Sequence, residues 1–380
     1  MIRFIHCADI CLDAPLGIGD AKKAAIRRDE MRSSFSKVLS EAAENCVSFV
    51  LISGGLFDGN NVSKTTVDFL CAEFSRSPDI KFIIAPGKLD YYGEDSIYRT
   101  AAFPENVHIF NKEEMSTLSF DIGDDRVSVH GCAKASPTAV CSVERFRIPS
   151  STDINILVSE ALITPENTGA LTAQKLEAAG FDYCALSHPD APVGVFDEGD
   201  MWYAYPGAPE SVSFEGMNDG GYVLVDAQKN GKDFTCKAKV VRVTNKKYLN
   251  ESISVSGALS TDEVVSTVEK SLEGIKDSVD SNTVLAVTVK GNTAPDVRDF
   301  TAKVSELEVF KKAFIASVTD ETVPLYNHEY LSEDPTIKGA LYNALRPAIC
   351  SDDAQVSRNA INALRAGLDA LDNKALSVKN

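Results

Sequence analysis

The sequence predicts an α/β protein, and three observations carry that prediction. Short apolar runs recur through the first half, separated by stretches of helical periodicity. Those runs are nearly continuous rather than alternating, as in strands buried on both faces. Beyond about Val193 the runs "MWYAYPG", "GYVLVDA" and "FTCKAKVVRV" lie close together with turn residues between them, so a second sheet completes the domain.

Taken in order, the apolar runs place strands at residues 2–8, 49–53, 81–85, 127–130, 154–158 and 183–186. Apolar residues spaced three and four apart place helices at 24–44, 65–74 and 171–179. "VTNKK", at 243–247, reads as the passage to a smaller α+β unit with strands at 252–255, 284–289 and 314–318 and helices at 261–275 and 297–307. Two helices, 336–344 and 354–371, close the chain. The last carries Ile361, Leu364, Leu368 and Leu371 as an amphipathic stripe, suited to packing on its own domain. The expected domains are therefore 1–243, 248–325 and 330–380.

Composition narrows the function classes. With 380 residues, 44% hydrophobic and 24% charged, the chain is long enough to bury a full core. No apolar run approaches the length of a membrane span, and the first residues lack a basic segment leading into an apolar one, so a cytoplasmic protein is expected. Nine scattered cysteines, never spaced C-x-x-C, argue against a disulfide framework and a structural zinc site and predict mostly small buried residues. A net charge of −17 repels nucleic-acid phosphates unless a local basic patch overrides it. The best candidate is Lys22, Lys23, Arg27, Arg28 and Arg32, but Asp20, Asp29 and Glu30 are interspersed, and a solvated helix face is the simpler reading.

In open α/β sheets ligands bind outside the carboxyl ends of the strands, so chemistry is sought in the loop after each strand. The first strand offers Asp9 and Cys11, the second Asp58, the third Lys88 and Asp90, and the later ones Glu160, then His188 and Asp190. Carboxylates, a thiol, an amine and an imidazole thus converge from five segments. The second loop, "SGGLFD", has Gly55 at its centre, with no side chain to contribute.

The frames "ADI-LD-PL", "LISG-LFD", "APG--D", "FDY-AL-H" and "YAYPG", with "FPENVHIF" and a closing "GLDAL", resemble the calcineurin-like metallophosphoesterases, specifically the SbcD-type DNA double-strand-break repair nucleases. The resemblance spans essentially the whole chain. It implies two mixed sheets flanked by helices, a small capping domain, and C-terminal helices that dock on an SbcC-type ATPase. It also implies DNA as a ligand and a homodimer. Such proteins hold two metal ions, usually manganese, through the motifs D-x-H, G-D-x-x-D, G-N-H-D, a lone His and G-H-x-H.

Carried over residue by residue, the resemblance leaves two ligand positions intact, Asp9 and His188. Cys11 stands for a histidine, Gly55 for the bridging aspartate, Lys88 for the asparagine, Glu160 for the lone histidine and Asp190 for the final histidine. Leu89 stands at the catalytic histidine and can neither donate nor accept a proton. Two adjacent cations need a shared anion between them, and an ammonium among their ligands repels them. The expectation is a subunit without nuclease activity and without a metal cofactor, retained for binding a partner or DNA. The alternative is a rebuilt mononuclear site, for which Cys11, Asp9, His188 and Asp190 form a chemically acceptable zinc set. Lys88 is expected to fill the vacated space and pair with Asp9, Glu160 or Asp190, unless it is simply an exposed turn lysine. Asp58 and Asp90 are read as loop-holding residues. Trp202, Tyr203 and Tyr205 are read as sheet packing or, alternatively, as base-stacking groups.

Overall fold

Strand β1 (Ile2–Cys7) shows why both sheet faces are covered. Ile2 and Phe4 point to one side and Ile5 and Cys7 to the other, and all four are buried, so the strand has no polar face. The structure is a computed structural model and describes every residue except 17, 19, 60, 141–142, 144–145, 151, 165–170, 213–219 and 373–380. The chain divides into one unit within Met1–Ser213 and Asn218–Asn245 and another within Lys246–Asn380.

In the first unit β1 leads to α1 (Ala21–Glu44), whose first turn is capped by Asp20 accepting from the Lys22 and Lys23 N–H groups. Next come β2 (Phe49–Ile52), α2 (Lys64–Ser75), β3 (Lys81–Ile84), α3 (Ile97–Thr100), β4 (Val107–Ile109), β5 (Ser116–Ile122), β6 (Asp125–Gly131), β7 (Ile154–Glu160), α4 (Ala173–Ala179), β8 (Tyr183–Ser187), β9 (Gly194–Glu198), β10 (Met201–Tyr205), β11 (Gly221–Asn230) and β12 (Asp233–Arg242). One sheet has the order β12-β11-β1-β2-β3-β4, parallel from β1 to β4 and antiparallel at β11 and β12. The other has the order β5-β6-β7-β8-β10-β9, parallel through β6, β7, β8 and β10 and antiparallel at its edges.

Phe4, Phe49, Leu51 and Ile83 of the first sheet meet Val129, Ile156, Tyr183 and Ala185 of the second in a shared core. Met31 and Phe35 of α1 and Leu70 and Phe74 of α2 cover the first sheet's outer face, and Leu176 of α4 covers the second's. Two large mixed sheets flanked by helices are thus the architecture, consistent with a calcineurin-like metallophosphoesterase fold.

One member of the basic set on α1 departs from both readings of it, while Lys22 is exposed and Lys23, Arg28 and Arg32 are half-exposed, as on a solvated face. Arg27 is neither a solvated residue nor part of a patch: it is fully buried, with its guanidinium 2.7 Å from Glu210 and 3.2 Å from Glu30. Arg32 pairs with Asp29 at 2.6 Å. The spacing of charges along the helix gives no hint of Arg27's burial, because its partner Glu210 comes from a distant segment.

In the second unit β13 (Lys247–Ser254), α5 (Thr261–Leu272), β14 (Thr283–Thr293), α6 (Phe300–Ser305), α7 (Glu308–Lys312) and β15 (Ile315–Pro324) form a three-stranded sheet with helical crossovers, and all its strands are parallel. Then come α8 (His328–Glu333), α9 (Ile337–Ile349) and α10 (Ala354–Leu371). Ile361, Leu364 and Leu368 of α10 pack with Leu331, Tyr342 and Ile349 inside this unit. Asp369 pairs with Arg298 at 2.5 Å, and Arg365 donates to the Val297 carbonyl. The stripe therefore serves its own unit, and Leu371 stays partly exposed.

Among the described residues seven cysteines carry free thiols; Cys7, Cys11 and Cys184 are buried, while Cys46 and Cys350 are exposed. Cys132 is disulfide-bonded, a bond that the scattered spacing did not announce, and Cys141 lies outside the described residues. No helix among the described residues is long and apolar enough to cross a membrane.

Candidate functional site

The carboxyl ends of the parallel strands of both sheets meet at one edge. Beneath it, His6 of β1 shares hydrogen bonds with Ser53 (2.9 Å) and Tyr183 (3.3 Å), and the Ser187 hydroxyl donates to the Ser53 carbonyl. Burial drives His6 down to about 3, so it stays neutral. This layer ties the end of β2 to the end of β8.

Above it, the loop after β1 takes three left-handed non-glycine residues, Asp13 (φ 62°) and, nearer the strand, Asp9 (φ 52°) and Cys11 (φ 50°). The Asp9 and Cys11 N–H groups donate to the carbonyls of Gly54 (3.0 Å) and Gly55 (2.7 Å), so the loops after β1 and β2 are zipped together. Gly55 itself has φ 68°, and a Cβ there would lie 2.8 Å from Asp9 Oδ1 and 2.9 Å from Asp9 Cα. The loop has closed on Asp9 with no room for a side chain.

Asp90 holds the loops, as read from the sequence. Its carboxylate accepts from the N–H groups of Gly55 (3.0 Å), Leu56 (2.9 Å) and Gly87 (2.8 Å) and from the Tyr98 hydroxyl (2.6 Å). Its pKa is raised by burial, against which these four bonds act. Asp9 is partly buried, and its carboxyl is pushed up to about 7 by burial and then by the charges of Glu160 and Asp90. Burial also pushes the Cys11 thiol well up, followed by the charge of Asp9. Cys11 is thus a protonated thiol at neutral pH.

Glu160, at the end of β7, reaches into the first sheet's loops. One carboxylate oxygen accepts from the Lys88 N–H, and the other lies 3.1 Å from the ammonium of Lys134. This corrects the expectation that Lys88 pairs with a carboxylate and agrees with the alternative of an exposed turn lysine. Its side chain is exposed and forms no ion pair among the described residues; the amine that enters the site belongs to Lys134. The physical reason is that the Lys88 backbone, not its side chain, faces Glu160, and this directs the side chain to water. Leu89 is also exposed, at 40%, and its carbonyl accepts from Gly59.

His188 and Asp190 engage each other. The His188 Nδ1 accepts from the Asp190 N–H at 3.2 Å and lies 3.7 Å from its carboxylate, which is 82% exposed. Asp9, Cys11, His188 and Asp190 are not gathered into the zinc set considered above. Among the described residues no group of three or more His, Cys, Asp and Glu is placed to hold a metal ion. The donors present do not fit a pair of divalent cations: Gly55, at the position the sequence resemblance gives to a shared anion, has no space for a side chain, and an ammonium already neutralises Glu160.

Tyr203 stacks on Phe196 at 5.1 Å, and Tyr205 bonds to the loop after β7 through the Ile163 N–H and the Ala161 carbonyl. Trp202 packs against the shared core. These aromatics serve the second sheet. Sequence reasoning missed Lys134, although "GCAKASP" comes directly after a predicted strand and the rule of inspecting every strand end would have reached it.

No family model matches the chain. Over 237 residues, 59% of this chain, it is 28% identical to the uncharacterized metallophosphoesterase YhaO of Bacillus subtilis (strain 168), and it spans 57% of that protein's length. Among solved structures it is similar to TT1561 of Thermus thermophilus (12% identity, TM-score 0.36, covering 63% of this chain and 99% of that one). Another is Vacuolar Protein Sorting 29 from Cryptosporidium parvum (14% identity, TM-score 0.27, covering 63% and 96%). Likenesses as slight as these last two carry no argument. The paired mixed sheets and the likeness to a curated metallophosphoesterase together support a metallophosphoesterase-type fold for this chain.

Proposed function

We propose that this chain is a homologue of the SbcD-type DNA repair exonuclease subunit whose dimetal site is mostly lost, and that it acts as a phosphoesterase-fold subunit binding a partner or DNA without hydrolysing phosphoesters. The single observation that carries the reading is the closure at Gly55, where the position of a bridging carboxylate has become a close backbone contact with Asp9. Leu89, at the position of a proton donor, supports it, since a hydrocarbon side chain transfers no proton. An SbcC-type ATPase, DNA and a second copy of the chain are the partners the sequence resemblance implies, in the cytoplasm. With a net charge of −17, DNA would be held through a partner's surface more readily than by this chain alone.

The test is catalytic. Purified protein in excess manganese chloride is expected to leave linear double-stranded DNA and a simple phosphodiester ester intact over hours. Cleavage that disappears on adding EDTA would overturn the reading in favour of a rebuilt metal site.

A further inference from the structure

We infer that Lys134 is a built-in counter-cation of this edge: its ammonium, fixed to the chain, holds the Glu160 carboxylate and so ties the loops after β3 and β6 to the end of β7. The inference rests on the reading of the site as one without a metal pair.

Three contacts place Lys134 in this role. Its side chain is 13% exposed and that of Glu160 9%, and their charges lie 3.1 Å apart. Its N–H donates to the Pro86 carbonyl at 3.1 Å, and its carbonyl accepts from the Tyr92 N–H at 2.7 Å, so its backbone is joined to the β3 loop on both sides. The side chain then crosses to the end of β7. Glu160 in turn is wedged between two glycines: a Cβ on Gly87 would lie 2.2 Å from its Oε2, and one on Gly54 3.3 Å from its Cβ. The same Oε2 accepts from the Lys88 N–H.

A carboxylate inserted this far among backbone groups needs a positive partner. Exposed ion pairs contribute little, but removing one member of a largely buried pair leaves an uncompensated charge. Lys88 is exposed and does not supply it; Lys134 does. A tethered cation differs from a bound one in that it is present at every metal concentration. The order of these loops is therefore independent of divalent ions.

Amide hydrogen exchange of the full chain tests this, read at Lys88, Tyr92 and Lys134, whose N–H groups make the bonds just described. Wild-type exchange is expected to be the same in EDTA and in manganese chloride. Lys134→Met is expected to speed exchange at all three by roughly tenfold or more, as the loops open locally. Lys134→Met with Glu160→Gln is expected to recover most of the protection, because a glutamine oxygen still accepts from Lys88 with no charge to neutralise. Unchanged exchange in Lys134→Met, or no recovery in the double variant, would overturn the inference and leave the metal-free reading intact. A wild-type response to EDTA or manganese would overturn that reading instead, and with it the need for a tethered cation. Should Lys134→Met not fold, the double variant is compared with Glu160→Gln alone: equal protection supports the inference, and lower protection in the double variant contradicts it.

Discussion

Glu210→Ala is expected to destabilise the first unit by about 3–5 kcal/mol, the cost of breaking a fully buried ion pair. Glu210 is 1% exposed, and its carboxylate gathers four donors from two parts of the chain: the Arg27 guanidinium and the Ser34 hydroxyl of α1, and the Thr244 hydroxyl and the Asn245 N–H. Removing it leaves the buried Arg27 and Ser34 without this acceptor. Arg27→Met is expected to cost less, because the remaining carboxylate keeps its three uncharged donors. Urea unfolding monitored by the fluorescence of Trp202, the single tryptophan, reports on this unit. The chain has two units, so a probe confined to one of them is required. A loss below about 1 kcal/mol, the scale of an exposed pair, would show that Arg27 and Glu210 meet in water.

Asp9→Asn is expected to stabilise the protein at pH 8 and to leave it nearly unchanged at pH 4. The ordinary pKa of Asp9 is 3.8 and the folded state holds it at about 7. Between these values the folded chain keeps a proton that the unfolded chain has released. Stability contributed by this proton is therefore complete below pH 4 and is lost as pH rises towards 7 and beyond. The penalty above pH 7 is on the order of 4 kcal/mol, an upper limit because Asp9 is only partly buried and water screens its charge. Asparagine cannot ionise and escapes it. Urea midpoints of wild type and variant at pH 4, 6 and 8 give the comparison. A bound divalent cation would reverse the sign, since it would hold Asp9 ionised, and the asparagine variant would then be the weaker at pH 8.

How much of this was legible depended on whether the cause was local. β1, β2 and β3 lie within one residue of the bounds read from the sequence, because a parallel strand buried on both faces writes a continuous apolar run. α10 has the same bounds in both, its stripe fixed by helical spacing. The edge strands β4, β5 and β9 left no such signal: they are short or half-exposed, and none carries a continuous apolar run. The predicted helix at 297–307 begins only at Phe300, after Asp299 in a left-handed conformation.

The site obeys the same rule. The convergence of Asp9, Gly55, Asp90 and Glu160 is legible at the ends of the strands, because sheet topology puts those loops together. Which amine meets Glu160 is not, because Lys88 and Lys134 both come after strands and only packing decides which side chain turns inward. Arg27 and Glu210 lie 183 residues apart, and no pattern in either segment signals the other.

Metal content tests the central claim most directly. After equilibrium dialysis against excess manganese and then zinc, with elemental analysis after each, the unmodified chain is expected to retain far less than one ion per molecule. Two ions per chain, with metal density beside Asp9 in a crystal of the same protein, would contradict it.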